Sequence, residues 1–317
     1  MYQKKFSHGI MFHRFKNSKD KNTIKGTLTA KNLTDIINFI GRERILNPNE
    51  WIDKLNKGNL SKKDVCLTFD DGLKSQIKIA LPILDKFKIK AFWFIHSKIS
   101  KNNFDKSEIF SMLIVKKFKN YIKFSDKFLK YIKLDANVFK SKEFIHYYNE
   151  ENNLYNFYSK TELKCKFIRD IYFSKKKIEI ILKNFFKIYK LNIKDFSKNI
   201  WLNKKDILKL EKKGHLVGMH SHTHPYRMKL LSPKAQKIEY NKNFKFLKLI
   251  LKKKPIVMAH PIDSYNKSTL KILKNLKILC GFRSHMKPSK GSKINPSNLE
   301  FAREDPTNIM KELCLKK

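Results

Sequence analysis

DVCLTFDDG at 64–72, followed by LKSQIKIALPILDKF at 73–87, is the stretch that decides the fold. Val65 to Phe69 is a short apolar run bounded by Asp64 and by Asp70-Asp71-Gly72, the pattern of a buried strand. In the next fifteen residues Ile77, Ala80, Leu81, Leu84 and Phe87 fall on one helical stripe. A strand that runs through two carboxylates into a helix is one β/α unit. The same arrangement recurs along the chain. Gly9–Phe15 carries His13 and Arg14, Ala91–Ile95 ends at His96, and Leu216–Met219 ends at His220. Ile256–Ala259 ends at His260, Leu279–Phe282 at Arg283 and His285, and Leu299–Ala302 at Arg303. Helical patterns at 206–213, 232–251 and 268–276 lie between the later strands. Strands alternating with helices predict a parallel sheet. Seven strands whose C-terminal ends all carry His, Asp or Arg predict a parallel (β/α) barrel, because chemistry gathers at that face of a barrel.

The stretch at about 102–199 breaks the alternation. It is rich in Lys, Phe, Tyr and Asn, has no Pro or Gly, and reads as several amphipathic helices inserted in a single barrel domain spanning 1–317. Its expected role is to pack over the barrel or to act as a lid. The 317 residues carry 70 Lys+Arg against 28 Asp+Glu, a formal net charge of +42, yet only seven of the basic residues are Arg. Specific nucleic-acid recognition favours Arg. The lysine excess therefore reads first as a solvated surface, and second as attraction to an anionic partner such as a phosphorylated sugar carrier or an anionic membrane surface. At 41% hydrophobic residues the chain buries a real core. No apolar run approaches the length of a membrane helix, and the N-terminal stretch is interrupted by Ser7, His8, His13 and Arg14 where a secretory signal needs an apolar segment. Cys66, Cys165, Cys280 and Cys314 are widely spaced and read as free buried thiols. A cytoplasmic protein is the expectation.

The densest chemical signal is GMHSHTHP at 218–225. Three His within five positions are expected by chance only about 0.01 times in a chain with this His content, and two imidazoles four apart can share one cation. Adjacent carboxylates at a strand end point in different directions, so of Asp70 and Asp71 one can bind a cation while the other faces substrate. One Asp and two His leave positions open for water, which is the catalytic kind of zinc site.

Together, TFDDG at 68–72, HSHTH at 220–224 within GHLVGMHSHTHP, and AHPIDSYN at 259–266 resemble the successive motifs of the polysaccharide deacetylase family, carbohydrate esterase family 4. LEFARED at 299–305 fits as well, and the likeness covers about 8–100 and 200–305. The resemblance implies a distorted parallel barrel that hydrolyses an N-acetyl, sometimes O-acetyl, group of an amino sugar. It implies Asp70 as catalytic base and Asp71, His220 and His224 as ligands of one divalent ion, zinc first, with cobalt or nickel as alternatives. Pro261 matches the third motif's proline, and the Ile262 N–H matches its oxyanion donor.

The chain also departs from the pattern. Ala259 stands where many members carry an Arg that steadies the base, and Ile262 where an aromatic is common. No segment matches the usual source of the general acid. His285 is the first candidate for that acid, with His260 and His96 as alternatives, and Arg303 is placed to take over the missing Arg's task. His13, His96, His260 and Arg303 are the expected substrate-side residues. The leading reading is a metal-dependent hydrolase of carbon–nitrogen bonds that removes an acyl group from a free, nucleotide-linked or lipid-linked amino sugar. The alternatives are another barrel metallohydrolase using an HxH pair, and a catalytically impaired barrel that binds an anionic glycan, lipid or nucleic acid.

Overall fold

The computed structural model describes residues 2–21, 23–24, 26–99, 106–154, 158–192, 200–287 and 293–315. The chain divides into two compact units, one of residues 1–18, 28–101 and 201–317, the other of 19–27 and 102–200.

Among the described residues the first unit holds seven strands: β1 (His8–Phe12), β2 (Val65–Phe69), β3 (Phe92–Ile95), β4 (Leu216–Met219), β5 (Val257–Ala259), β6 (Cys280–Phe282) and β7 (Arg303–Glu304). All the pairings are parallel, in the order β6-β5-β4-β3-β2-β1-β7. A parallel bridge between Phe282 and Phe301 brings the two ends of the sheet together, so that it forms a nearly closed barrel. The expected α/β barrel is the fold observed. One strand boundary differs. The apolar pair Leu299 and Phe301 suggests a strand ending at Ala302, whereas the ladder pairs Arg303 with Gly9 and Glu304 with Ile10. Arg303 therefore lies inside β7 and not beyond it.

Side chains alternate across each strand, and the two faces are both buried, as expected of a parallel sheet. Cys66, Phe92, Phe94, Leu216, Val257, Ala259, Cys280, Phe282 and Phe301 form one cluster, the barrel interior, into which Trp51 also packs. Ile10, Phe12, Leu67, Phe69, Trp93, Val217, Met219 and Met258 form the other, against the helices. Continuing the inward alternation past the strand ends carries Asp70 from β2, His96 from β3 and His220 from β4 to the same end of the barrel. Gly9 and Gly218 keep that interior open. A Cβ at Gly9 would lie 3.1 Å from Arg303 Cγ, and one at Gly218 would lie 2.6 Å from both Val257 O and Val257 Cγ2.

The helices are α1 (Ala30–Ile40), α2 (Pro48–Asn56), α3 (Leu81–Lys86, entered through a π turn at Gln76–Ala80), α4 (Lys106–Leu113), α5 (Tyr121–Ile132), α6 (Lys142–Leu154), α7 (Lys160–Phe167), α8 (Lys175–Ile188), α9 (Lys204–Lys212), α10 (Pro233–Leu251), α11 (Lys267–Asn275) and α12 (Pro306–Cys314). Side chains that satisfy the first-turn N–H groups mark several starts. Thr29, Asn203 and Asn266 form capping boxes before α1, α9 and α11. The second unit contains α4–α8, packed around Phe110, Phe124, Phe128 and Phe185. None of the described helices is long and apolar enough to cross a membrane. All four cysteines are free, but Cys314, expected to be buried, is exposed because it ends the C-terminal helix α12.

Candidate metal centre and active site

At the C-terminal end of the barrel, Asp70 and Asp71 turn to different partners. Asp70 continues the inward alternation of β2 and is buried. Asp71 takes a left-handed backbone (φ 73°), a conformation Asp tolerates better than most residues, and this swings its carboxylate toward the β4 loop. Asp71 Oδ1 lies 3.4 Å from His220 Nε2 and 3.5 Å from His224 Nε2. One donor atom from each of the three residues lies within 4.8 Å of the others. His220 Nδ1 donates to the Ala259 carbonyl at 2.9 Å, which fixes the ring and turns Nε2 toward the cluster. One carboxylate and two imidazoles are a donor set that catalytic divalent-metal sites use.

Charge reinforces the geometry. Burial alone pushes the Asp71 carboxyl upward, but the hydrogen bond from His220 and the charges of His224 and His13 hold it well below the usual carboxylate range. Burial acts against a proton on His220, yet Asp70 and Asp71 raise its pKa above the ordinary value. Without a cation these carboxylates attract a proton to His220. A divalent ion held there would take over that task and release the proton.

Asp70 sits in the fork of Arg303, with Nη1 to Oδ1 at 2.6 Å and Nη2 to Oδ2 at 2.7 Å. Arg303 is itself fully buried, donates from Nη1 to Thr68 Oγ1 at 3.1 Å and from Nε to the Arg283 carbonyl, and passes over Gly9. Burial raises the Asp70 pKa, but Arg303, His220 and His13 together bring it below the usual value. A planar bidentate pair fixes the carboxylate in position as well as in charge. Arg303 thus reaches Asp70 from β7, while position 259, where the sequence lacks an Arg, carries only a methyl group.

His13 Nε2 lies 3.9 Å from Asp70 Oδ2 and 4.0 Å from Asp71 Oδ2, beside both carboxylates. His96 is buried, edge-on to Trp201 at 4.9 Å and 6.0 Å from the His224 ring. Trp201 is held next to the DDG turn by its bridge to Leu73 and by the Leu202 N–H donating to the Gly72 carbonyl at 2.9 Å. His285 forms a separate pair, with Nε2 2.8 Å from Asp263 Oδ2. Asp263 Oδ1 also accepts the Ser284 N–H at 2.9 Å. Burial raises the Asp263 pKa, but His285 and the Ser284 N–H lower it below the ordinary value. Ile262 and Asp263 are both left-handed (φ 50° and 51°), which for a β-branched Ile is a strained conformation of the kind found at functional sites.

His260 does not join this group. It is fully buried, stacked on Tyr265 at 4.1 Å, and bonded through Nε2 to the Leu299 carbonyl at 2.8 Å. Burial lowers its pKa to about 4, and its ring is enclosed away from solvent. Sequence reasoning missed Asp263, although it is the only acidic residue in AHPIDSYN. It also missed Trp201 and the two α10 residues Glu239 and Asn243, which meet their partners only through the fold.

A family model described as polysaccharide deacetylase matches residues 57–119 and 176–280, just over half of the chain. The match contains Asp70, Asp71, His220, His224 and Ile262 and stops before His285 and Arg303. Among solved structures, the chain is similar to the Streptococcus pyogenes deacetylase PplD in complex with acetate (15% identity, TM-score 0.56, covering 96% of this chain and 97% of that one). It is also similar to IcaB from Ammonifex degensii (14%, TM-score 0.56, 95% and 91%) and to a de-N-acetylase from Aggregatibacter actinomycetemcomitans (13%, TM-score 0.54, 94% of each). At these identities the structures bear on the fold alone. A sequence comparison with curated proteins finds no match. The motif match across more than half of the sequence, on a barrel that gathers those motifs at one end, shows that the chain belongs to the polysaccharide deacetylase family.

Proposed function

We propose that this protein is a metal-dependent hydrolase that removes the N-acetyl group from an amino sugar of a glycan. The observation that carries this reading is a buried carboxylate clamped in an arginine fork beside an Asp–His–His cluster. Asp71, His220 and His224 would hold a divalent cation, zinc first, since cobalt and nickel accept the same donors. Bound there, the cation supplies Lewis-acid polarisation of a carbonyl and makes water more acidic.

The chain's own residues do the rest. Asp70, kept ionised by Arg303, accepts a proton from the attacking water. The Ile262 N–H, held in the strained turn at 262–263, would serve as the donor to the developing oxyanion. His285, oriented by Asp263, delivers a proton to the departing amine. His13, His96 and Trp201 line the site on the substrate side.

The zinc-loaded protein is expected to release acetate from N-acetylglucosamine oligomers. Activity should be lost on chelation and return with added zinc. Nucleotide-linked and lipid-linked N-acetyl sugars belong in the same assay, and failure to release acetate from every one of these substrates would overturn the reading. Asp263→Asn keeps a residue that tolerates the left-handed backbone but removes the charge that orients His285. We expect kcat to fall about 10²-fold with little change in KM. Unchanged kcat would remove the pair from the reaction.

A further inference from the structure

The loop that carries both histidine ligands is strained. Ser221 (φ 62°) and His224 (φ 50°) are both left-handed without being glycine, within four residues of each other. Such conformations persist only where the surroundings impose them. Within the loop, the Ser221 hydroxyl accepts the His224 N–H at 3.1 Å. Most of the remaining restraint comes from α10. Glu239 Oε2 accepts the His222 N–H at 3.0 Å and the Thr223 N–H at 2.7 Å, while Oε1 accepts the Thr223 hydroxyl at 2.8 Å. One turn further along the same face, Asn243 Oδ1 accepts the His220 N–H at 2.9 Å, and its Nδ2 donates to the Ile95 carbonyl at 3.0 Å. Asn243 is fully buried. The β3 loop completes the frame, with the Ser97 N–H donating to the Ser221 carbonyl at 3.2 Å and Ser97 Oγ 2.7 Å from His222 Nδ1.

We propose that the Glu239–Asn243 face of α10 is the positioning element of the metal centre. It holds the backbone of the 220–224 loop in the strained form that aims His220 and His224 at Asp71. This rests on the reading of those three residues as metal ligands. The two α10 residues act through the loop backbone and touch neither metal nor substrate. Outer partners of this kind commonly change metal affinity by 10- to 100-fold when removed.

Glu239 gives the clean test, because Asn243 lies in the core and its removal leaves two buried backbone groups unpaired. Glu239→Ala removes all three loop contacts. Glu239→Gln preserves them, since the amide oxygen takes the two N–H groups and the amide nitrogen donates to the Thr223 hydroxyl. Zinc affinity by competition with a chelating dye and the visible spectrum of the cobalt-loaded protein are measured at a temperature where thermal melts show both variants folded. Glu239→Ala is expected to weaken zinc binding at least about 10-fold and to alter the cobalt spectrum, with Glu239→Gln within about threefold of the wild type. Wild-type affinity and spectrum in Glu239→Ala, even with a lowered melting temperature, would overturn the proposal and leave Glu239 as a packing residue. If the wild type itself binds no zinc, the metal reading fails, and the positioning role fails with it.

Discussion

Replacing Asp70 by Asn is expected to reduce acetate release by about 10³-fold while leaving zinc affinity nearly unchanged, because Asp70 stands outside the Asp71–His220–His224 trio. An amide accepts no proton from water at neutral pH. The substitution also has a structural cost. Arg303 is fully buried, and both oxygens of its carboxylate partner are engaged by its fork. Removing one partner of a buried pair leaves an uncompensated charge and costs about 3–5 kcal/mol. Lost activity in Asp70→Asn alone would therefore be ambiguous between chemistry and unfolding. The double variant Asp70→Asn, Arg303→Met removes the stray guanidinium and should recover much of the melting temperature with no recovery of kcat. Arg303→Met alone should lower kcat while keeping some turnover, because the carboxylate remains but is no longer fixed. Steady-state kinetics with thermal melts on the three variants separate these effects. Wild-type kcat in a folded Asp70→Asn protein would exclude Asp70 as the base.

The barrel unit is expected to unfold as pH falls from about 6.5 toward 4. His8, His215 and His260 are all buried, and burial pushes each of their pKa values down to about 4. Their ring nitrogens already serve neutral roles. His8 accepts the Tyr2 hydroxyl at Nε2 and donates from Nδ1 to the Phe6 carbonyl, and His215 Nδ1 accepts the Ala91 N–H. An unfolded His takes up its proton near pH 6.5. Between 6.5 and 4 the unfolded chain therefore binds more protons than the folded one, and stability falls as pH falls, with the loss complete below 4. A shift of this size is about 3 kcal/mol per group, so three groups amount to about 10 kcal/mol, comparable to the whole stability of a domain. His220, whose pKa is raised, works in the opposite direction. It gives full stability below 6.5 and loses it at higher pH, so its contribution stays constant between 6.5 and 4 and leaves the fall in that window unchanged. The carboxylates held low, Asp70, Asp71 and Asp263, add their losses only once the pH drops below the ordinary Asp value. Melting temperature against pH at constant ionic strength reads the window directly. A flat profile between pH 7 and 4.5 would show that these histidines are not buried in neutral form.

Much of this molecule was legible before any coordinates. The βα grammar and the polar residue at each strand end were enough for the barrel, and DDG with HSHTH for the cation cluster. These are short-range patterns, written in neighbouring residues through the two-residue period of a strand and the stripe of a helix. The seventh strand was misplaced because Leu299 and Phe301 carry the apolar signal, while the true register is set by Arg303 packing over Gly9 toward Asp70. His260 follows a strand end as His96 and His220 do, yet its ring stacks on Tyr265, which donates to Glu300 Oε1 at 2.9 Å.

By itself the sequence determined that the chain forms alternating strands and helices, and that Asp70, Asp71, His220 and His224 reach one rim with the chemistry to hold a cation. Tertiary structure alone decided the fork in which Arg303 holds Asp70, which acid pairs with His285, and which helix face holds the strained 220–224 loop. Arg303 and Asp70 are 233 positions apart, and Asn243 and Ile95 are 148 apart. No local propensity encodes such partners. They are chosen when burial leaves a charged or polar group no water to bond with, so that only the geometry of the closed barrel supplies its partner.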